Sequence, residues 1–133
     1  MFLGRFPTPL TEFIVSGASK RGATTWLTGV ADAALPAAQR RVVGIVPIVF
    51  DVVDFENSVS QMFKNLNAWS FAFKDYRNHG VTKLIAQPER LERLTCVIDP
   101  MKYESFDQIA PALVISATGD EFFQVRYIFN NTA

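Results

Sequence analysis

The sequence predicts an α/β domain built on three parallel strands with a helical insertion. Three observations predict it. A run of β-formers at 12–16 passes at once into a helical pattern, a stronger apolar run follows at 41–50, and a third run at 112–117 comes after a long helical stretch. Strand, helix, strand, helical insertion, strand is an α/β order. Right-handed crossovers are the expected connections between parallel neighbours.

The elements follow in chain order. Residues 4–11 read as loop, with Gly4, Pro7 and Pro9. Glu12-Phe13-Ile14-Val15-Ser16 reads as a short buried strand. From Lys20 to about Ala34 the pattern is helical: Trp26, Leu27 and Val30 recur at helical spacing, and Pro36 closes the segment. Arg41 to Phe50 is the strongest strand, a near-continuous apolar run suited to burial on both faces. Pro47 breaks that run, since proline cannot donate to a central ladder, so it is expected near the strand's end. Residues 56–106 form the insertion. It is mostly helical to residue 98 and broken near Gly80 and Pro88, with Ser58 as a candidate N-cap. Val59, Met62, Phe63 and Leu66 lie on one stripe, and Trp69, Phe71, Phe73 and Tyr76 form an aromatic cluster expected to pack as core. Asp99-Pro100 interrupts the chain before the last strand, Ala112 to Ala117, which ends in Thr118-Gly119-Asp120.

Composition excludes several classes. The chain has 133 residues, enough for one small domain. About half are apolar (49%), which fits a packed core rather than disorder. Net charge is zero with both signs interspersed, which argues against a nucleic-acid binder. One cysteine, Cys96, excludes an internal disulfide framework, and one Cys with one His cannot build a zinc site of the usual spacing. No Gly-rich phosphate loop is present, and no cofactor is expected. The longest apolar run, Val42 to Val53, is too short to cross about 30 Å of hydrocarbon. Met1-Phe2-Leu3 leads into Gly4, so no unbroken signal-peptide core is seen.

Between the first strand and the first helix stands Gly17-Ala18-Ser19-Lys20-Arg21-Gly22. A serine at a sharp strand-to-helix turn, flanked by small residues, is the nucleophile elbow of α/β-hydrolases. Gly17 supplies the small residue two positions before Ser19. The usual second small position holds Arg21 instead, and the glycine comes one later, at Gly22. The elbow would lift the Ser19 hydroxyl above the sheet edge. It would also make the Lys20 backbone N–H an oxyanion donor at a helix N-terminus. Lys20 and Arg21 are read first as solvated helix-start residues, with a role toward an anionic substrate as the alternative. Asp120, just past a later strand, is the candidate triad acid, and Glu121 is the neighbouring alternative. A triad needs a histidine after the acid, but the one histidine, His79, precedes Asp120 and reads as a surface or loop residue.

These blocks resemble the PhoPQ-activated pathogenicity-related protein family. The resemblance rests on Ser16 to Gly22 with Thr25-Trp26-Leu27, on Gly44 to Asp51, on Trp69 to Tyr76, on Asp99-Pro100 and on Ala117 to Phe123. It implies a partial α/β-hydrolase fold, with strand, elbow, helix and strand at 12–50, the insertion at 56–106, and a strand and acid turn at 112–123. It places Ser19 and Asp120 at the nucleophile and acid positions. It implies a secreted or extracellular setting and an unidentified small-molecule or peptide substrate. Residues 124–133 depart from the family pattern where the last strand and catalytic histidine are expected. The expectation is therefore a truncated member of a serine hydrolase lineage, acting on esters or amides and inactive alone. The alternative is a non-catalytic secreted signalling or interaction protein, such as a proliferation repressor.

Overall fold

The computed structural model describes residues 10–50 and 53–122. The proposed tail at 124–133 and most of the N-terminal loop lie outside the described residues. Strand β1 is Phe13–Ala18, helix α1 is Lys20–Ala33 and strand β2 is Val42–Ile48. The two strands pair in parallel, from Phe13 opposite Val42 to Ala18 opposite Ile48. In α1, Gly22, Thr25, Trp26, Gly29, Val30 and Ala33 are buried, a spacing of three and four residues that gives one face to the sheet. Asp32 near the end of α1 accepts hydrogen bonds from the N–H groups of Arg41 (2.9 Å) and Val42 (3.2 Å), which fixes where β2 begins.

The third strand is not formed as expected. Among the described residues the sheet has two strands, and the 112–117 segment meets β2 at two isolated parallel bridges, Ile45 with Ala112 and Ile48 with Ile115. The reason is one missing donor. Ile45 donates to Pro111 O (3.0 Å) and accepts from Leu113 N–H (2.9 Å). Two residues on, Pro47 accepts from Ile115 N–H (3.0 Å) but has no N–H to return. Val49 then donates to Ile115 O (2.7 Å). The ladder is therefore interrupted at its middle rung, although Pro47 does lie near the end of β2.

Burial also differs from expectation. Ile45 and Pro47 are buried, whereas β1 is, among the described residues, an edge strand with Phe13 and Ile14 exposed. On the sheet face opposite α1, Ile14 (70%), Leu113 (63%) and Ile115 (43%) stand in solvent, so neither strand is covered on both faces.

The insertion comprises α2 (Phe55–Leu66), α3 (Lys74–Asn78) and α4 (Pro88–Ile98), joined by short 3₁₀ turns that include Phe71–Phe73 and Val81–Ala86. Its breaks fall where the residues dictate. Gly80 adopts φ 74°, a left-handed backbone that glycine takes at no steric cost, and Pro88 begins α4, where its absent N–H costs nothing. Ser58 is not the N-cap of α2. It is buried inside the helix and donates its N–H to Asp54 O, while Asp54 holds the cap position. The cap side chain comes from elsewhere: Asp99, nearly fully buried, accepts from the N–H groups of Phe55 (2.7 Å), Asp54 (3.2 Å) and Met101 (3.0 Å). The insertion has its own core of Val59, Met62 and Phe73, against which Phe55, Trp69, Ile85 and Phe122 pack. Phe71 does not join it and is 78% exposed.

Candidate functional site

The turn between β1 and α1 is built by steric necessity. Ser19 N–H donates to Ile48 O (2.9 Å), and Ser19 O receives the N–H of Gly22 (2.7 Å), so the chain reverses within one residue of leaving the sheet. Ser19 itself sits at φ 55°, ψ −124°. For a residue with a side chain this backbone is strained, by about 1–3 kcal/mol, and such residues concentrate at functional sites. A Cβ on Gly17 would lie 2.7 Å from Arg21 O and 2.8 Å from Arg21 Cβ. These are backbone and Cβ atoms that almost any residue at 21 would bring, so the tightness of the turn itself requires glycine at 17. A Cβ on Gly22 would lie 2.5 Å from Phe50 Cβ and 3.3 Å from Gly17 O, so the second glycine answers first to the segment just past β2 and then to the turn.

The next strand ends under similar strain. Val49, β-branched, has φ 43° directly after β2. Both strained residues face one open cleft of about 700 Å³ at the C-terminal ends of the strands. Open parallel sheets bind ligands at that end. Its lining comes from Ser19 and Lys20 at the turn into α1, Val49 and Phe50 just past β2, and Ala117, Gly119, Asp120, Glu121 and Phe122 from the end of the 112–117 segment onward. Ala72, Asp75 and Tyr76 of the insertion complete it.

The sequence-predicted residues therefore meet in part. Ser19, Lys20, Asp120 and Glu121 line the same cleft, and Gly17 and Gly22 shape the turn that presents Ser19. As the first residue of α1, Lys20 has no carbonyl one turn back to receive its N–H, and that helix end carries partial positive charge. Arg21 does not line the cleft, and three carboxylates (Asp75, Asp120, Glu121) stand beside the single ammonium of Lys20. That balance gives no support to an anionic substrate. His79 is exposed and lines a different pocket, with Lys83 and Arg90.

The loop bearing Asp120 is held by two devices. Asp120 N–H closes a turn onto Ala117 O (3.1 Å), and Asp120 Oδ1 accepts from Phe122 N–H (2.8 Å). Phe122 then places its ring 4.7 Å from that of Phe73 and 5.4 Å edge-on from that of Tyr76. The loop carrying the acid is thus anchored in the insertion's core. Sequence reasoning read Phe73 and Tyr76 as a core cluster but did not find Asp75, Tyr76, Val49 or Phe50 as cleft residues. The backbone strain at Val49 leaves no trace in residue type, while an acid and a tyrosine adjacent in a cap helix could have been flagged.

Among the described residues no group of three or more His, Cys, Asp or Glu side chains is arranged to hold a metal ion, and no helix is long and apolar enough to cross a membrane.

Comparison with known proteins gives two relationships. Residues 3–129 match the family model for the PhoPQ-activated pathogenicity-related protein, wider at both ends than the 12–123 stretch that carries the resemblance above. Over 123 residues the chain is 35% identical to autocrine proliferation repressor protein A of Dictyostelium discoideum, covering 90% of this chain and 23% of that protein. The chain thus spans about a quarter of the length of this relative. No solved structure is similar.

Proposed function

The chain belongs to the PhoPQ-activated pathogenicity-related protein family, and from that premise we propose that its cleft is the nucleophile side of a serine hydrolase site of the α/β-hydrolase type. The observation that carries this reading is the backbone of Ser19, φ 55° and ψ −124°, at a strand-to-helix turn where only glycine fits at position 17. Such an elbow presents a serine hydroxyl to an ester or amide carbonyl. In this reading Ser19 Oγ attacks the carbonyl carbon, and the Lys20 N–H stabilises the oxyanion that forms. Asp120 orients and stabilises a histidine that takes the serine proton and returns it to the leaving group. The one histidine of this sequence lines another pocket, so this chain brings no histidine to Ser19. We infer that it reacts stoichiometrically and turns over negligibly.

The test is labelling with a fluorophosphonate, mapped by mass spectrometry, beside hydrolysis of a p-nitrophenyl ester. The expected result is a slow adduct on Ser19, absent in Ser19→Ala, with ester hydrolysis equal in both proteins. Rapid saturable hydrolysis lost in Ser19→Ala would overturn the inactivity, and labelling spread over other serines would overturn the assignment of the nucleophile.

A second reading draws on the name of the Dictyostelium relative, a proliferation repressor. A non-catalytic signalling protein on the same scaffold would keep its growth-repressing effect when Ser19 is replaced by alanine, and a hydrolytic one would lose it.

A further inference from the structure

Away from the Ser19 cleft, the insertion holds a second cavity of about 380 Å³. Two helical segments contribute to its lining. Ser60, Phe63 and Lys64 come from α2 at spacings of three and four residues, so they share one face of that helix. Thr82, Ile85 and Ala86 come from the Val81–Ala86 turn at the same spacing. Trp69 forms the floor, its ring 5.0 Å from that of Phe63 and stacked 5.8 Å from that of the buried Phe73. The walls are therefore apolar, with one hydroxyl on each segment and a single charge.

That charge decides what the cavity would take. Lys64 has no carboxylate partner among the described residues; the one ion pair there joins Lys102 to Glu92. No acidic side chain lines the cavity. An aromatic floor with one unpaired ammonium at the rim matches a molecule with an apolar body and one anionic end. The volume falls at the lower end of ligand pockets, about 300–1,000 Å³. Phe63 is 41% exposed, so an apolar body laid against it would gain burial that the protein alone leaves unmade.

The geometry points to a binding site for a small amphipathic carboxylate, its chain over Trp69 and between Phe63 and Ile85, its carboxylate at Lys64. The site is independent of the chemistry at Ser19.

The test is quenching of tryptophan emission by 8-bromooctanoate, with 8-bromo-1-octanol as the uncharged comparison. Bromine beside Trp69 quenches it, while Trp26, packed against Phe106, supplies the unquenched remainder. Saturable quenching is expected for the carboxylate. Lys64→Gln weakens it about fivefold, the scale of an exposed charge pair, and leaves the alcohol unchanged. Ala86→Phe, at an exposed position, fills the cavity and abolishes both. Quenching that never saturates, or that survives Ala86→Phe in a protein with an unchanged melting curve, overturns the site. Equal affinity for acid and alcohol, with no effect of Lys64→Gln, overturns the anionic class of ligand.

Discussion

Cys96 is an exposed thiol that ought to alkylate readily, yet its surroundings act against it. The hydrogen bond from Lys102 to Glu92 holds the Glu92 carboxyl below the ordinary carboxylate range. Glu92 in turn accepts from Cys96 Sγ at 3.4 Å and pushes the thiol above its ordinary range. The thiolate is the nucleophile, so a raised thiol pKa means less of it at any pH below that value. Iodoacetamide should therefore modify Cys96 more slowly than a free thiol at pH 8, and the gap should close as pH rises. Glu92→Gln removes that charged acceptor and should speed the reaction at pH 8. An unchanged rate would show that Glu92 does not hold the thiol. Gly22 gives a second prediction of this kind. With Phe50 Cβ 2.5 Å from the site of a new methyl, Gly22→Ala should cost about 1–3 kcal/mol as overpacking and lower the melting temperature. A Gly22→Ala protein as stable as its parent would mean that the chain just past β2 can yield at Phe50.

α2 shows what one element owes to a distant residue. Its own N-cap residue, Asp54, stands at φ 62° and makes no capping bond with its side chain. The orphan N–H groups are taken by Asp99, 45 positions further along, which also caps the turn after α4. Asp99→Ala would remove the acceptor of three partly buried N–H groups and should cost about 3 kcal/mol, roughly 1 per bond. Asp99→Asn can keep the two bonds made to Oδ1 and should lose about a third of that. Equal melting temperatures for the two variants would refute the capping role. The same long reach limited what could be read in advance. β1, α1, β2 and the breaks at Gly80 and Pro88 were legible, because apolar periodicity and Gly/Pro chemistry are local. The glycine-framed turn at Ser19 was legible for the same reason. The α2 cap was misplaced to Ser58, since nothing local marks Asp99 as the true partner. The third strand failed at one rung, because Pro47 was weighed as a fault of its own strand and not of its neighbour's ladder. Asp120 was placed beside Ser19's cleft by its position after a strand, but the aromatic anchor through Phe122 depends on tertiary contact.

For the molecule as a whole, the sheet is the unbalanced part. Parallel sheets are ordinarily covered on both faces. Here α1 covers one, with Ile45 buried against Gly29, while Ile14, Leu113 and Ile115 share the other in solvent. The register puts them together: Ile14 pairs with Gly44, and the bridges at Ile45 and Ile48 bring Leu113 and Ile115 alongside Val46 and Ile48. β1 adds a further liability, since among the described residues it is an edge strand, and such an edge offers alternate N–H and C=O groups to another chain. Contiguous apolar surface of this kind drives association because water gains when it is covered. The 133-residue chain should therefore self-associate as its concentration rises, which light scattering on a size-exclusion column would follow. Ile14→Thr with Leu113→Thr removes two of the three exposed side chains while keeping β-branched residues in the sheet. Because both positions are exposed, the pair should leave thermal stability within about 1 kcal/mol and shift the population toward monomer. A parent chain that is monomeric at every concentration, or a double variant that associates as strongly, would mean that this face is not what joins the copies.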